Sequence, residues 1–254
     1  MKVSIITVAF NSEKFIEHAI NTVLSQTYKN IEYIIIDGGS IDGTINIIKK
    51  HKDKIAKFIS EQDNGIYDAM NKGLKMATGD IIGILNSDDF YADNFVIETV
   101  VKNIKNENAD SCWGDLFYVD KENTSKIVRN WKSSQYSKNN FGKGWMPPHP
   151  TFFVKKQIYE KYGYFNLDFR TSADYEIMLR FLEKYKIKSC YIPKVLVKMR
   201  IGGKSNKNIK NIIKANIECY NAWKINELQI NPIVFFIKPL LKVLQFPVFN
   251  KKYD

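Results

Sequence analysis

Four short apolar runs, each followed by polar punctuation, constrain the first hundred residues more than any other feature. They are residues 3–8 (VSIITV), 31–36 (IEYIII), 57–59 (KFI) and 81–85 (IIGIL). Near-continuous β-branched runs suit strands buried on both faces, because a strand with one wet face alternates instead. Between the first two runs, Phe15, Ile16, Ala19, Ile20, Val23 and Leu24 recur at helical spacing behind a cap at Asn11 or Ser12. Asp42 caps a second helix carrying Ile45, Ile47 and Ile48, and Ile66, Ala69, Met70, Gly73, Leu74 and Ala77 mark a third. The order βαβαβαβ predicts an α/β fold, with a mostly parallel sheet and helices on both faces.

In such sheets ligands bind beyond the carboxyl ends of the strands. The residues there are Thr7 and Ala9, then Asp37 with Gly38, Gly39 and Ser40, then Glu61 and Asp63, then Asn86, Ser87, Asp88 and Asp89. Carboxylates crowd one rim, an arrangement that is tolerable where a cation or ligand donors bind. Asp37, Asp42 and Asp63 also suit turns and caps, and Asp42 is read as a cap. Asp88 and Asp89, directly behind a buried strand, are read as a metal-binding pair. No GxGxxG follows the first strand and no GxxxxGK[ST] occurs, so dinucleotide and Walker-type cradles are unsupported. A diphosphate must then be neutralised mainly by a cation, which suits a nucleotide held through oxygen-coordinated Mg²⁺ or Mn²⁺.

Length and composition narrow the class. At about 150 residues per domain, 254 residues predict one large domain or one domain with an appendage. A content of 44% hydrophobic and 26% charged residues excludes a mainly disordered chain. Three cysteines, Cys112, Cys190 and Cys219, with no CxxC pair, argue against a disulfide framework or a cysteine zinc site and point to a reducing cytoplasm. The net charge of +11 resides in residues 186–254, where 14 Lys and Arg face 3 Asp and Glu. A basic segment seeks an anionic partner, whether nucleic acid, phospholipid head groups or a phosphorylated substrate. Nucleic acid is not expected, because none of the usual reading motifs is present. Residues 233–249 are the most apolar stretch, but Lys238, Pro239, Lys242 and Pro247 interrupt it, and a spanning helix needs about 20 mostly apolar residues. Lys238, Lys242 and Gln245 form one polar stripe opposite Leu240, Leu241, Val243, Leu244 and Phe246. Such a segment either lies in an anionic membrane interface or packs back on the globule.

The succession SIITVAFNSEKFIEHAINTVLSQTY, YIIIDGGSIDGT and SEQDNGIYDAMNKGLKMATGDIIGILNSDDFY resembles the family 2 inverting glycosyltransferases of GT-A fold, particularly bacterial enzymes of surface-polysaccharide assembly. The similarity is strong through residue 95 and looser to about residue 205. It implies a nucleotide-sugar donor, commonly a UDP-sugar, and a glycan or lipid-linked saccharide acceptor. It further implies that Thr7, Ala9 and Asp37 contact the nucleoside, that Asp63 lies beside the nucleotide, and that Asn86, Ser87, Asp88 and Asp89 form the metal motif. Where the common motif has an acid this chain has Asn86, so a neutral carbonyl replaces a charge. Residues 1–110 form the donor-binding half, 111–215 the acceptor-binding and catalytic half, and 216–254 the basic helical tail.

In the second half, a loop rich in Ser, Lys, Asn and Gly from 132 to 144 reads as mobile, and leads into GWMPPHPTFF. Trp145 offers a flat face to a sugar acceptor, whereas Phe152 and Phe153 serve equally well as core. His149 is either an acceptor or phosphate contact or a turn histidine. Thr171 or Ser172 caps the next helix, which places Asp174 in a first turn that favours anions. The resemblance implies that Asp174 is the catalytic base, with Arg180 supporting it. Arg200, Gly202, Gly203 and Lys204 form either a lid with cations for a diphosphate or an exposed basic turn. The rival readings are a nucleotidyltransferase acting on a sugar phosphate, which shares the sheet and metal, and a nonenzymatic nucleic-acid-binding protein.

Overall fold

The structure is a computed structural model that describes residues 1–202 and 209–229. The four apolar runs become β1 (Val3–Ala9), β2 (Ile31–Asp37), β3 (Lys57–Ser60) and β4 (Ile81–Asn86), joined by α1 (Ile16–Leu24), α2 (Thr44–Lys50) and α3 (Ile66–Met76). They pair in parallel in the order β3-β2-β1-β4, and every residue of β1 is buried. Then follow β5 (Asp89–Tyr91), α4 (Val96–Asn106), β6 (Ser111–Val119), β7 (Ile127–Trp131), β8 (Phe153–Lys155), α5 (Lys156–Tyr162), α6 (Ala173–Leu179), β9 (Ser189–Arg200) and α7 (Ile209–Ile225).

Among the described residues all nine strands join one sheet, in the order β3-β2-β1-β4-β8-β6-β9-β5, with β7 on β6. The three residues of β8 run antiparallel between β4 and β6, and β9 runs parallel to β6. Two reversals restore direction, so β6 and β9 end on the same rim as β1, β2 and β4. Val119 and Arg200 close that rim side by side.

Helices cover both faces, as the alternating pattern predicts. On one face Ile16, Ile20 and Val23 of α1 and Val96, Val100 and Ile104 of α4 pack on Ile5, Ile35 and Leu85. On the other, Met70 and Leu74 of α3, Ile158 of α5, Met178 of α6 and Ala222 and Trp223 of α7 pack on Ile6, Ile36 and Ile84. Each such large side chain contributes roughly 1.5–3 kcal/mol when fully enclosed.

Local details depart from expectation. No side chain caps α1; Asn11 sits in the left-handed region (φ 49°), and the Ser12 carbonyl accepts the N–H groups of Phe15 and Ile16. Asp42 does hold the entry of α2, accepting the Thr44 N–H at 3.0 Å. The segment 132–144 is pinned, because Phe141 is fully buried, the Ser134 carbonyl accepts from Trp113 Nε1 at 3.1 Å and Ser133 N–H donates to Asp115 at 2.7 Å. The expected division at residue 215 falls inside α7, which docks on α6 through buried Cys219, Ala222 and Trp223. Lys204 and residues 230–254, including the Lys238–Lys242 stripe, lie outside the described residues.

Candidate active site

The β1, β2 and β4 ends build one wall of the site. Gly38 N–H donates to the Ala9 carbonyl at 2.8 Å, which continues the β1–β2 ladder past the sheet edge. The Asp37 carboxylate is enclosed and accepts from Ser40 N–H and Oγ, Gly39 N–H and Ser60 Oγ, so it braces the turn that follows it. Gly39 takes φ +82°, and a Cβ on Gly38 would lie 2.3 Å from Asp63 Oδ2. The turn after Asp37 and the Asp63 side chain therefore lie against each other. Exposed Ile41 and Ile66 stand at the same edge.

The acidic turn behind β4 forms the next part. Ser87 is buried and shares a 2.7 Å hydrogen bond with Ser12. Asp89 is only 1% exposed; Asn86 Nδ2 donates to its Oδ2 at 3.1 Å. Burial, and then the charge of Asp88, pushes the Asp89 carboxyl well above the usual range, and burial raises Asp88 too. Asn86 Oδ1 and Asp89 Oδ1 are buried oxygens with no hydrogen-bond partner among the described residues. Two orphan oxygens beside a half-buried Asp88 carboxylate are hard donors of the kind Mg²⁺ and Mn²⁺ take. Among the described residues no cluster of three or more His, Cys, Asp and Glu forms a ready cage. A cation here fits by completing its shell with diphosphate oxygens and water, the usual manner of Mg²⁺.

Arg200 ends β9 beneath this turn and is not part of a loop. Its Nη1 donates to the Asp88 carbonyl at 2.6 Å, its Nη2 donates to His18 Nδ1 at 2.7 Å, and its guanidinium lies over Phe15 and Phe90. Burial, then Arg200 and Lys198, lowers the His18 pKa, so the ring is neutral and can accept. Arg200 thus shapes the acidic turn from below.

Asp174 is the second acidic centre. It sits in the first turn of α6, as its spacing from Ser172 predicts, and Tyr67 Oη donates to its Oδ1 at 3.0 Å. Burial, then the Asp174 charge, raises the Tyr67 pKa well above normal and keeps the phenol a donor. Phe165 stacks on Tyr67 at 5.5 Å and meets His149 edge-on at 5.8 Å. Burial lowers the His149 pKa, opposed by the nearby Asp174 carboxylate, so a neutral imidazole joins the group. Tyr118 lies near the end of β6. Burial raises its phenol pKa, Arg129 over the ring opposes this, and both Asp89 and Asp174 add to it. The phenol is therefore within electrostatic reach of both acidic centres.

Some expected contacts are not brought there. The Thr7 side chain is fully enclosed, and its hydroxyl accepts from Tyr33 at 3.1 Å on the packed face of the sheet. The Arg180 guanidinium is taken up by Glu176 at 2.9 and 3.0 Å and by the carbonyls of Tyr162 and Tyr164, so it locks α6 to the preceding loop. Trp145 is half-buried in an aromatic nest of Trp113, Tyr136 and Phe141, with its Nε1 unpartnered. Phe152 and Phe153 are core. Tyr67 and His18 escaped sequence reasoning; for Tyr67 the available signal was an aromatic residue with a polar tip two positions after Gly65. A surface depression lined by Gln157, Tyr162, Tyr185 and Lys188 brings together none of the predicted residues.

The sequence matches the family profile described as "Glycosyl transferase family 2" over residues 4–163. An uncharacterised glycosyltransferase of Mycobacterium tuberculosis is 33% identical over 180 residues, covering 70% of this chain and 68% of the relative. Residues 1–349 of TarS from Staphylococcus aureus superpose with a TM-score of 0.66 at 16% identity, over 98% of this chain and 74% of that one. The chain spans 44% of the longer TarS structure. The mannosyltransferase PcManGT from Pyrobaculum calidifontis, solved with GDP-Man and Mn²⁺, superposes with a TM-score of 0.65 at 18% identity, over 94% of this chain and 68% of that one. The chain belongs to glycosyl transferase family 2 and is a glycosyltransferase of GT-A fold. Sugar transfer replaces the nucleotidyl-transfer and nucleic-acid-binding alternatives.

Proposed function

We propose that this protein is an inverting, metal-dependent glycosyltransferase that moves a sugar from a UDP-sugar to a hydroxyl of a glycan or lipid-linked saccharide, in surface-polysaccharide assembly at the cytoplasmic face of the membrane. The observation that carries this reading is a buried acidic turn behind β4 together with Asp174, held by Tyr67, both within electrostatic reach of Tyr118. TarS 1–349 has been solved with UDP and with UDP-GlcNAc, which favours a uridine donor here. Residues 1–110 supply the donor side: Ala9, the Asp37 turn, Asp63 and Ser87 frame the nucleotide. Residues 111–215 supply the acceptor side, with His149 along it.

Asp88 and Asp89, with the Asn86 carbonyl, would hold Mn²⁺ or Mg²⁺. A divalent ion there supplies positive charge to the departing diphosphate. Asp174 accepts the proton of the acceptor hydroxyl as that oxygen bonds to the anomeric carbon and the sugar–phosphate bond breaks. Attack opposite the leaving group inverts the centre in one displacement. Tyr67 fixes one Asp174 oxygen and leaves the other for the hydroxyl, while neutral His149 adds no competing charge.

The test is Asp174→Asn, which keeps size and removes basicity. Transfer should fall at least about 10²-fold, with folding and UDP affinity retained. A folded variant that transfers at the wild-type rate would refute the assignment.

A further inference from the structure

The family match ends at residue 163, before α6 and α7. Yet α7 reaches back to the segment that presents Asp174. The N-cap residue of α6, Ser172, makes no side-chain cap, and its Oγ donates instead to the Ala215 carbonyl at 3.2 Å. The N–H groups leading into the helix need acceptors, and a short helix cannot supply them itself. Glu218 of α7 does so. Its carboxylate accepts from Arg170 N–H at 3.2 Å, Thr171 N–H at 2.9 Å, Ser172 N–H at 2.8 Å and Thr171 Oγ at 2.8 Å. Hydrogen bonds from backbone N–H to a carboxylate are charge-assisted and about twice as strong as neutral ones. Ser172 is two residues before Asp174, so the turn that Glu218 grips sets where the Asp174 backbone lies.

We infer that Glu218 is a positioning residue for Asp174, so that α7, beyond the matched family region, sets the rate of sugar transfer. This rests on the reading of Asp174 as the base. The Asp174 carboxylate is then fixed from two sides: Tyr67 on α3 holds its oxygen, and Glu218 on α7 holds the main chain at Ser172, two residues before it. Helix docking does not depend on Glu218, because Cys219, Ala222 and Trp223 carry the packing, with Trp223 Nε1 donating to Tyr175 Oη at 2.8 Å and Asn226 Nδ2 to Glu176 at 2.9 Å. A change at residue 218 should therefore loosen the turn and leave the helix in place.

The experiment is steady-state transfer by Glu218→Ala, Glu218→Gln and Glu218→Asp, each also combined with Asp174→Asn. In Glu218→Ala, kcat should fall about 10- to 100-fold with donor KM unchanged, the size expected when a reacting group is misplaced by about 1 Å. Gln retains one oxygen for the Thr171 and Ser172 donors and should restore kcat to within about threefold. In the Asp174→Asn background, Glu218→Ala should cost less than about twofold more, because both changes act on one event. Should the Ala variant fail to fold, Glu218→Asp keeps the charge but falls short of the turn, and should lower kcat about tenfold at unchanged KM. A slow Asp174→Asn protein beside a wild-type kcat in Glu218→Ala or Glu218→Asp overturns the positioning role alone. So does an equal loss with and without Asp174, or a Gln variant no faster than Ala. A wild-type rate in Asp174→Asn overturns the base assignment and this role with it.

Discussion

Replacing Glu32 by Gln should weaken the fold without touching the active site. Glu32 lies at the start of β2, opposite the rim, and is 4% exposed. Burial alone would raise its carboxyl pKa, but Ser4 Oγ at 2.6 Å, Thr78 N–H and Oγ at 2.7 Å each and Lys2 Nζ at 3.1 Å outweigh it and hold the pKa at about 2, against 4.5 ordinarily. Each factor of ten between the folded and unfolded acid constants is worth about 1.4 kcal/mol, so the charged form contributes on the order of 3 kcal/mol. Its folded pKa is depressed, so this stability is complete above about pH 4.5 and is lost as pH falls toward 2. The amide should therefore lower Tm at pH 7 by about 6–12 °C, at about 2–4 °C per kcal/mol for a chain of this size. Thermal melts followed by circular dichroism between pH 7 and pH 3 should show the gap narrowing below about pH 4.5, with UDP affinity at pH 7 unchanged. A gap independent of pH, or a Gln variant as stable as wild type at pH 7, would refute the reasoning.

Three more outcomes are expected. UDP with Mn²⁺ or Mg²⁺ should raise Tm by mass action, and Asp88→Ala should abolish the metal-dependent part; equal shifts in both proteins would remove Asp88 from the metal site. Tyr67→Phe loses a hydrogen bond to a charged group, worth about 1.5–3 kcal/mol, so kcat should fall about tenfold or more at unchanged UDP affinity; a wild-type kcat would show that Asp174 needs no such anchor. No helix among the described residues is long and apolar enough to cross a membrane; the proposed peripheral contact rests on the basic, apolar end of the sequence, so deleting residues 231–254 should abolish binding to anionic liposomes, and retained binding would dismiss that role.

The parallel half of the sheet was legible because strands buried on both faces leave apolar runs in the sequence, and β1, β2 and β4 follow those runs almost residue for residue. The acids of the rim were legible for the same reason, since a residue directly behind a buried strand has only one place to be. The later strands were not. β5 and β8 have three residues each, too few for a period, and β8 enters between β4 and β6 only through long-range pairing. Pro193 argues against a strand, yet β9 accommodates it where the register with β6 slips between Gly114 and Asp115.

Charge shows least of all what it does. Arg180 reads as a support for the base and Arg200 as a cation for a diphosphate, but one locks α6 to the chain before it and the other carries the carbonyl of Asp88. Tyr67 and Glu218, the residues that hold Asp174, stand 107 positions from it in one case and 46 from its N-cap residue in the other, and no local pattern spans such distances. Strands and the residues directly behind them follow from local pattern. The partners that hold a reacting carboxylate in place follow from which helices happen to pack together, and α7 does so on α6 through a small apolar patch that also delivers Glu218. With Asp174 read as the base, its chemistry is coupled to a helix whose own sequence gives no sign of it.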